Sequence, residues 1–373
     1  MSIQKRLLVV SDTGMYQKNG STYAFGPVVI ELEHLLEIFD EIVWIGFERP
    51  NNTENDVYRK VSSSKISVIM LPSVGGKGLI NKLQILKHYP TMYSVIKSQI
   101  VKHDYIHVRA PSNPGLIAMY LSRIYSEKLF WFKYAGTWTG NASFTYRLQR
   151  LILKKWCKSS KVTINSVVQD QENHTFSFEN PCLTASDRKK GYEICTKTEL
   201  NKYPNYCFVG NLDANKGVDL LMEAISDFDI GTIHIVGNGS MMGKLKSMAT
   251  SVKSPIIFHG YLSKEDVIKI YSECDFIVLP SKSEGFPKVI GEAMNYSCVP
   301  IVTNISCIDQ YVQNNVNGFL IANRTKEGLA NKISESLELT DDKFKAIVAK
   351  NYELAEKFTY QNYLLKINEL ILT

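Results

Sequence analysis

Ser283-Glu284-Gly285-Phe286-Pro287-Lys288-Val289-Ile290-Gly291-Glu292-Ala293-Met294 follows the apolar run Phe276-Ile277-Val278-Leu279, which Pro280 closes. The run reads as a buried strand. Pro287 suits a first helical position, where its missing N–H is not needed and its fixed φ fits the turn. The order is therefore strand, short loop, helix, with the helix N-terminus pointing back at the loop. Such an end carries partial positive charge and free N–H groups, so it attracts anions. Glu284 lies in the loop and Glu292 about one and a half turns into the helix. One acid can reach sugar hydroxyls; the other can grip a second diol such as a ribose. The bland alternative is a strand-to-helix turn with solvated acids.

Working outward, the chain of 373 residues is too long for one ordinary core, and two domains are expected. Its 45% apolar and 21% charged content is that of a globular protein. Leu7-Leu8-Val9-Val10 is too short for a signal-peptide core and reads as a first buried strand. No apolar run is long enough to span a bilayer. The seven cysteines are scattered and form no CxxC pair. They read as reduced, mostly buried thiols, which makes the expected location cytoplasmic. The sequon Asn141-Ala142-Ser143 then carries no meaning. Net charge is uneven: +8 over residues 1–180 and −2 over 181–373. A basic first half suits something anionic: nucleic acid, a phospholipid surface or a pyrophosphate-linked acceptor.

Short apolar strands alternate with helical stretches throughout, which predicts βα units and parallel sheets. Strands are expected at Leu7–Val10, Ile42–Gly46, Ile66–Met70, Tyr105–Val108 and Leu129–Tyr134, and then at Cys207–Gly210, Thr232–Gly237, Ile256–Gly260, Phe276–Leu279, Pro300–Thr303 and Gly318–Ile321. Ser11 to Phe25 reads as a polar loop, and Gly26-Pro27 opens a helix. Gly75-Gly76-Lys77-Gly78 lacks P-loop spacing and reads as a mobile loop. Residues 178–205 lose apolar periodicity, and Asp187-Arg188-Lys189-Lys190-Gly191 is turn-like, so the interdomain linker is placed there. This gives an N-terminal Rossmann-like, acceptor-binding domain over 1–180, a linker over 181–204 and a nucleotide-sugar domain over 205–355. A C-terminal helix over 356–373 is expected to pack back toward the first domain. In residues 144–158, apolar and basic residues alternate at helical spacing. Two readings stand open: a basic amphipathic helix lying on an anionic membrane, or a surface helix with its apolar side inward.

The phrase Pro280-Ser281 … Glu284-Gly285-Phe286-Pro287 … Glu292-Ala293-Met294 resembles the nucleotide-sugar site of retaining GT-B glycosyltransferases of family 4, also called glycosyl transferases group 1. The likeness extends over roughly 204–321. The resemblance implies a GT-B fold, with two Rossmann-like domains whose parallel sheets face across a cleft. It implies that Lys216, in Phe208-Val209-Gly210 … Lys216-Gly217, pairs with the donor diphosphate. Asn211 stands where the family often has a second basic residue, so one phosphate contact must come from elsewhere. Phe258-His259-Gly260 resembles the strand bordering the nucleobase. Ser297 stands where glycine is usual, and a tightened turn is expected there. Gly26-Pro27 looks like the helix start facing the diphosphate. In His107-Val108-Arg109, which resembles a segment that often supplies a histidine near the reacting sugar, Arg109 falls at that spot. Arg109 reads either as a phosphate or acceptor contact or as half of an interdomain ion pair; His107 reads as a satisfied strand histidine.

On this resemblance the catalytic residues are Glu284, Lys216 and Arg109. The donor contacts are Gly26, Gly210, Lys216, Gly260, Glu284, Gly285, Phe286, Pro287 and Glu292. The implied reaction is retaining transfer of a sugar from a nucleotide-diphosphate sugar to a glycan or lipid-pyrophosphate-linked acceptor, in surface polysaccharide synthesis. No metal, other cofactor or nucleic-acid partner is implied; Asp227-Phe228-Asp229 reads as a loop. The implied place is the cytoplasm, with peripheral contact at the inner face of the cytoplasmic membrane. The runner-up readings are a nucleotide-sugar 2-epimerase of the same fold and an inactive nucleotide-binding module.

Overall fold

The computed structural model describes residues 4–49, 57–72, 79–139, 143–168 and 171–373, with the backbone alone over 79–86. The Gly75–Gly78 loop and the asparagine of the 141–143 sequon lie outside these. The chain divides into one compact unit of 1–178 with 364–373, and a second of 179–363.

The first unit runs β1 (Arg6–Lys18), β2 (Ser21–Phe25), α1 (Gly26–Leu35), β3 (Glu41–Glu48), β4 (Tyr58–Lys60), β5 (Ile66–Leu71), α2 (Leu79–Ile100), β6 (Tyr105–Ala110), α3 (Asn113–Ile124), β7 (Leu129–Tyr134), α4 (Phe144–Lys155), β8 (Lys161–Ile164) and β9 (Thr175–Ser177). Its parallel strands lie in the order β5-β3-β1-β6-β7-β8-β9. The apolar runs form the sheet because burial on both faces suits continuous Val, Ile and Leu; Leu8, Val9, Val10, Ile45, Ile106 and Val108 are wholly buried.

The expected loop over 11–25 is instead a hairpin. β1 shifts register between Val10 and Gly14, then pairs antiparallel with β2, Lys18 opposite Ser21. Asn19 and Gly20 both hold positive φ, 49° and 71°. That is the turn whose twist matches paired strands, and Asn-Gly is the dipeptide that favours it. β4 extends the hairpin as a third antiparallel strand.

The second unit runs α5 (Ala185–Cys195), β10 (Tyr206–Val209), α6 (Val218–Ile225), β11 (Ile233–Val236), α7 (Met242–Ala249), β12 (Ile256–Gly260), α8 (Lys264–Glu273), β13 (Phe276–Leu279), α9 (Lys288–Asn295), β14 (Val299–Thr303), β15 (Phe319–Ile321), α10 (Lys326–Leu337) and α11 (Asp341–Ala355), and enters α12 (Tyr360–Lys366). Its sheet is wholly parallel, in the order β12-β11-β10-β13-β14-β15. The chain reverses direction of travel across the sheet between β10 and β13, and crevices that take ligands form at the strand ends of such switch points.

The segment 181–204, expected to be a linker, contains the helix α5. Its apolar periodicity is poor because polar bonds hold it. Thr184 and Asp187 form a reciprocal capping box. Asp187 also takes Lys264 Nζ at 2.6 Å and the Tyr296 hydroxyl at 2.9 Å. Burial pushes the Asp187 carboxyl up, but the bonds from Lys264 and Thr184 outweigh it and hold the group below the usual carboxylate range. Arg188 donates to Asn295 Oδ1 at 2.7 Å, and Asn295 Nδ2 donates back to the Asp187 carbonyl at 2.9 Å. Just beyond α9, Ser297 sits at φ 64°, the left-handed conformation that glycine adopts without strain. The helical end expected over 356–373 breaks at the turn Glu356–Phe358 and at Thr359.

Candidate functional site

Two loops meet at the switch point of the second unit. One follows β10 and holds Asn211 to Gly217; the other follows β13 and holds Pro280 to Pro287. Asn215 ties them together. Its carbonyl accepts the Lys282 N–H at 2.7 Å, and its side-chain amide donates to the Ser283 carbonyl at 3.0 Å. Asp213 Oδ1 accepts the N–H groups of Asn215 and Lys216 at 2.9 and 3.0 Å, which turns the chain toward the second loop. Gly217 then caps α6 at φ 73°, so tight against the Pro280 carbonyl that a Cβ would lie 2.3 Å from its oxygen. Glycine is required there twice over, for its conformation and for the space. Arg324 Nε donates to the same carbonyl at 2.7 Å.

This frame brings Lys216 and Glu284 together. Lys216 Nζ lies 2.5 Å from Glu284 Oε1, with side chains 22% and 12% exposed. The two side chains singled out in the sequence thus hold one another. Beside them, no described residue accepts the backbone N–H of Gly285, Phe286 or Lys288. Pro287 is the residue before α9 rather than its first, with Lys288 opening the helix. The N–H groups and the helix end together make a patch of positive potential next to the ion pair.

Glu292 lies on α9, partly buried, and Tyr271 donates to its Oε2 at 3.4 Å. Burial pushes its carboxyl up, against the pull of Lys264 and Lys288. The Phe286 side chain is buried in the aromatic packing of the second unit. Its ring stacks on Phe358 at 4.7 Å and lies 4.6 Å from Tyr311, so only its backbone faces the loop. Gly210 and Gly260 stand at strand ends. The Gly210 N–H is taken by the Val236 carbonyl, while the Gly260 carbonyl accepts from Gly237 at 2.7 Å. Asn215, Asp213 and Arg324 escape a reading of the sequence because they act through backbone groups, Asp213 within its own loop and the other two on the Pro280–Pro287 loop.

In the first unit, Gly26 opens α1, but its N–H donates to the Val57 carbonyl at 2.8 Å and is not available to a ligand. Among the described residues, Arg109 pairs inside its own unit with Glu31 of α1 at 3.0 Å, and Lys133 meets the same carboxylate oxygen at 2.8 Å. Arg109 also lines a cleft of about 480 Å³ with Asp12, Gly14, Arg49 and Tyr58. A Cβ on Gly14 would lie 2.7 Å from Arg49 Cγ, so the bare glycine lets that side chain lie across the backbone.

His107 is a strand histidine, wholly buried against Trp131; among the described residues neither ring nitrogen makes a hydrogen bond of good geometry, the Trp131 backbone offering only a weak one. Burial, with the nearby Arg109 charge, lowers its pKa to about 3. The folded state therefore keeps it neutral where the unfolded chain binds a proton, and stability falls as pH drops from about 6.5 toward 3. One such group contributes a slope of up to roughly 1.4 kcal/mol per pH unit in that window. We expect His107→Phe to flatten the acid limb of a stability-against-pH curve by about that slope, read from urea unfolding; an unchanged limb would refute it.

Residues 194–358 match the family described as Glycosyl transferases group 1. An uncharacterized glycosyltransferase of Methanocaldococcus jannaschii is 29% identical over 164 residues, 44% of this chain and 46% of that protein. A UDP-Gal:alpha-D-GlcNAc-diphosphoundecaprenol alpha-1,3-galactosyltransferase of Escherichia coli is 33% identical over 31% of this chain and 30% of its own length. The chain thus spans less than half the length of these curated relatives. Among solved structures, Anabaena HepE in complex with UDP superposes with a TM-score of 0.71 at 16% identity, over 98% of this chain and 99% of that one. Sucrose-phosphate synthase of Thermosynechococcus elongatus gives 0.71 at 18% identity over 98% of each chain. The likeness establishes the fold: two Rossmann-like α/β domains of the GT-B class.

Proposed function

We propose that this chain is a retaining glycosyltransferase of family 4. It moves a hexosyl group from a nucleotide-diphosphate sugar to a glycan or lipid-linked glycan acceptor, in surface polysaccharide synthesis. The observation that carries this reading is the Lys216–Glu284 pair, set at the strand ends of the switch point beside unclaimed backbone N–H groups. The family match over 194–358 and the undecaprenol-linked substrate in a relative's name support it. Because that relative uses a UDP sugar and HepE binds UDP, uridine donors are the first to test.

On this reading the donor diphosphate draws Lys216 off Glu284. The lysine and the N–H groups of Gly285, Phe286 and Lys288 then meet the negative charge that builds on the leaving group, as fixed donors that need no reorganisation. Glu284, released, accepts from sugar hydroxyls and favours positive charge at the anomeric carbon. Glu292 holds the ribose. Gly210, Gly260 and Pro287 shape the donor's walls through their backbone. Arg109 contacts the acceptor from the first unit. The leaving phosphate takes the acceptor proton, and no metal is needed.

Incubation with a panel of nucleotide sugars, with and without a lipid-linked acceptor, tests this. Diphosphate release that depends on acceptor, with the donor's anomeric configuration kept in the product, is the expected result. Isomerised donor without release would point to an epimerase. Bound nucleotide with no turnover of any donor would point to an inactive binding module.

A further inference from the structure

Helix α4 is turned inside out. Its buried residues are Gln149, Arg150 and Leu153. The polar two are held by the first unit: Gln149 Oε1 accepts the Ser112 N–H at 3.0 Å, and Arg150 donates to the Thr137 carbonyl at 3.0 Å. Leu153 is buried and Ile152 packs partly against the core, but the other large apolar residues face solvent, with Phe144 78%, Leu151 54% and Trp156, at the helix end, 61% exposed. Tyr146 and Leu148 are exposed as well. Five of the seventeen large apolar side chains exposed among the described residues therefore fall within 144–156. Tyr120 and Ile124 of the adjoining α3 are exposed too, and the Arg123 guanidinium stands over the Trp156 ring at 6.0 Å. Scattered apolar residues on a surface need no account, but a contiguous patch does.

The rim of this patch is cationic. Arg147, Lys155 and Lys158 are exposed beside the apolar residues, and Lys154 is partly so. A helix that shows aromatic and aliphatic side chains between lysines and arginines matches the boundary of a bilayer. There the rings enter the headgroup region and the basic groups meet anionic lipid. A second protein copy would bring its own positive rim against this one. We infer that the α3–α4 face of the first unit docks on an anionic lipid surface, with Phe144, Leu148, Leu151 and Trp156 inserted and Arg147 and Lys155 at the headgroups. This stands apart from the proposed reaction, since lipid binding is measured without turnover.

The test is co-sedimentation of the full chain with vesicles of phosphatidylcholine alone, or of phosphatidylcholine and phosphatidylglycerol in equal parts. Wild type is expected to pellet with the anionic vesicles only, and less so as salt rises. Arg147→Glu with Lys155→Glu should weaken partitioning by at least about twentyfold, since each basic residue near such a surface is worth roughly fivefold. Phe144→Ser with Leu151→Ser should weaken it by at least about tenfold while leaving Tm unchanged, because these side chains are already in water. Failure of wild type to pellet with anionic vesicles at low salt overturns the inference. So does equal pelleting by the serine variant. Sedimentation velocity covers the remaining case: a dimer that the serine variant abolishes, without vesicle binding, would make this face a self-interface instead.

Discussion

Glu284→Gln is expected to lower the transfer rate by roughly a hundred- to a thousandfold, the scale of losing one preorganised charged partner at a reacting centre. Glutamine keeps the shape and the hydrogen-bonding oxygen but removes the charge. With it goes the favourable field at the anomeric carbon, and the resting partner of Lys216, now 2.5 Å away. Initial rates at saturating donor report the loss, and calorimetric binding of the nucleoside diphosphate should change little or tighten, because Lys216 no longer has to leave a carboxylate. Lys216→Met should show the opposite split, with weaker diphosphate binding as well as a slower rate. Because the two side chains act as a unit, the double variant is expected to be scarcely slower than the worse single one. Undiminished turnover by folded Glu284→Gln protein would remove the assignment.

Glu31→Ala should destabilise the protein by about 3–5 kcal/mol, the usual cost of stranding a buried charge. The Glu31 carboxylate is 2% exposed and takes both Arg109 and Lys133, and the lysine side chain is itself 5% exposed. Removing the acid takes the shared partner from two cations, one of them buried. Guanidinium unfolding midpoints measure the loss. Adding Lys133→Met to Glu31→Ala should recover part of it, because the worst-placed charge is then gone. A loss under about 1 kcal/mol would mean that water reaches this cluster.

The core of the architecture was legible because its strands are uninterrupted apolar runs, and burial on both faces makes such runs unambiguous. Lys216, Glu284 and Glu292 could be singled out because the loop and helix that carry them have a recognisable sequence order. Other features left no such trace. Glu31 sits in an amphipathic stretch like many exposed acids, and its partners lie 78 and 102 residues away. The first α5 residues read as a turn because their helix rests on Thr184, Asp187 and Asn295 rather than on an apolar stripe. Phe286 sits in the motif but serves the aromatic packing of Phe358. The Asn19-Gly20 hairpin was missed because polar flanks such as Lys18 and Ser21 made the stretch read as a loop. For α4, periodicity gave the helix but not which side faces in, since polar bonds at Gln149 and Arg150 decide that.

The hairpin changes what a visitor to the first unit meets. Asp12, Thr13 and Gly14 belong to the continuous strand β1, laddered to β3 around Gly14 and to β2 from Met15 onward. A mobile loop at this spot would have to freeze when something lodged against it, and that loss of freedom would subtract from affinity. Here the ladder holds the backbone from Gly14 onward before any encounter, so little of that cost remains, and replacing the Asn19-Gly20 turn with a flexible insert should weaken capture through the added ordering cost without touching a contact residue.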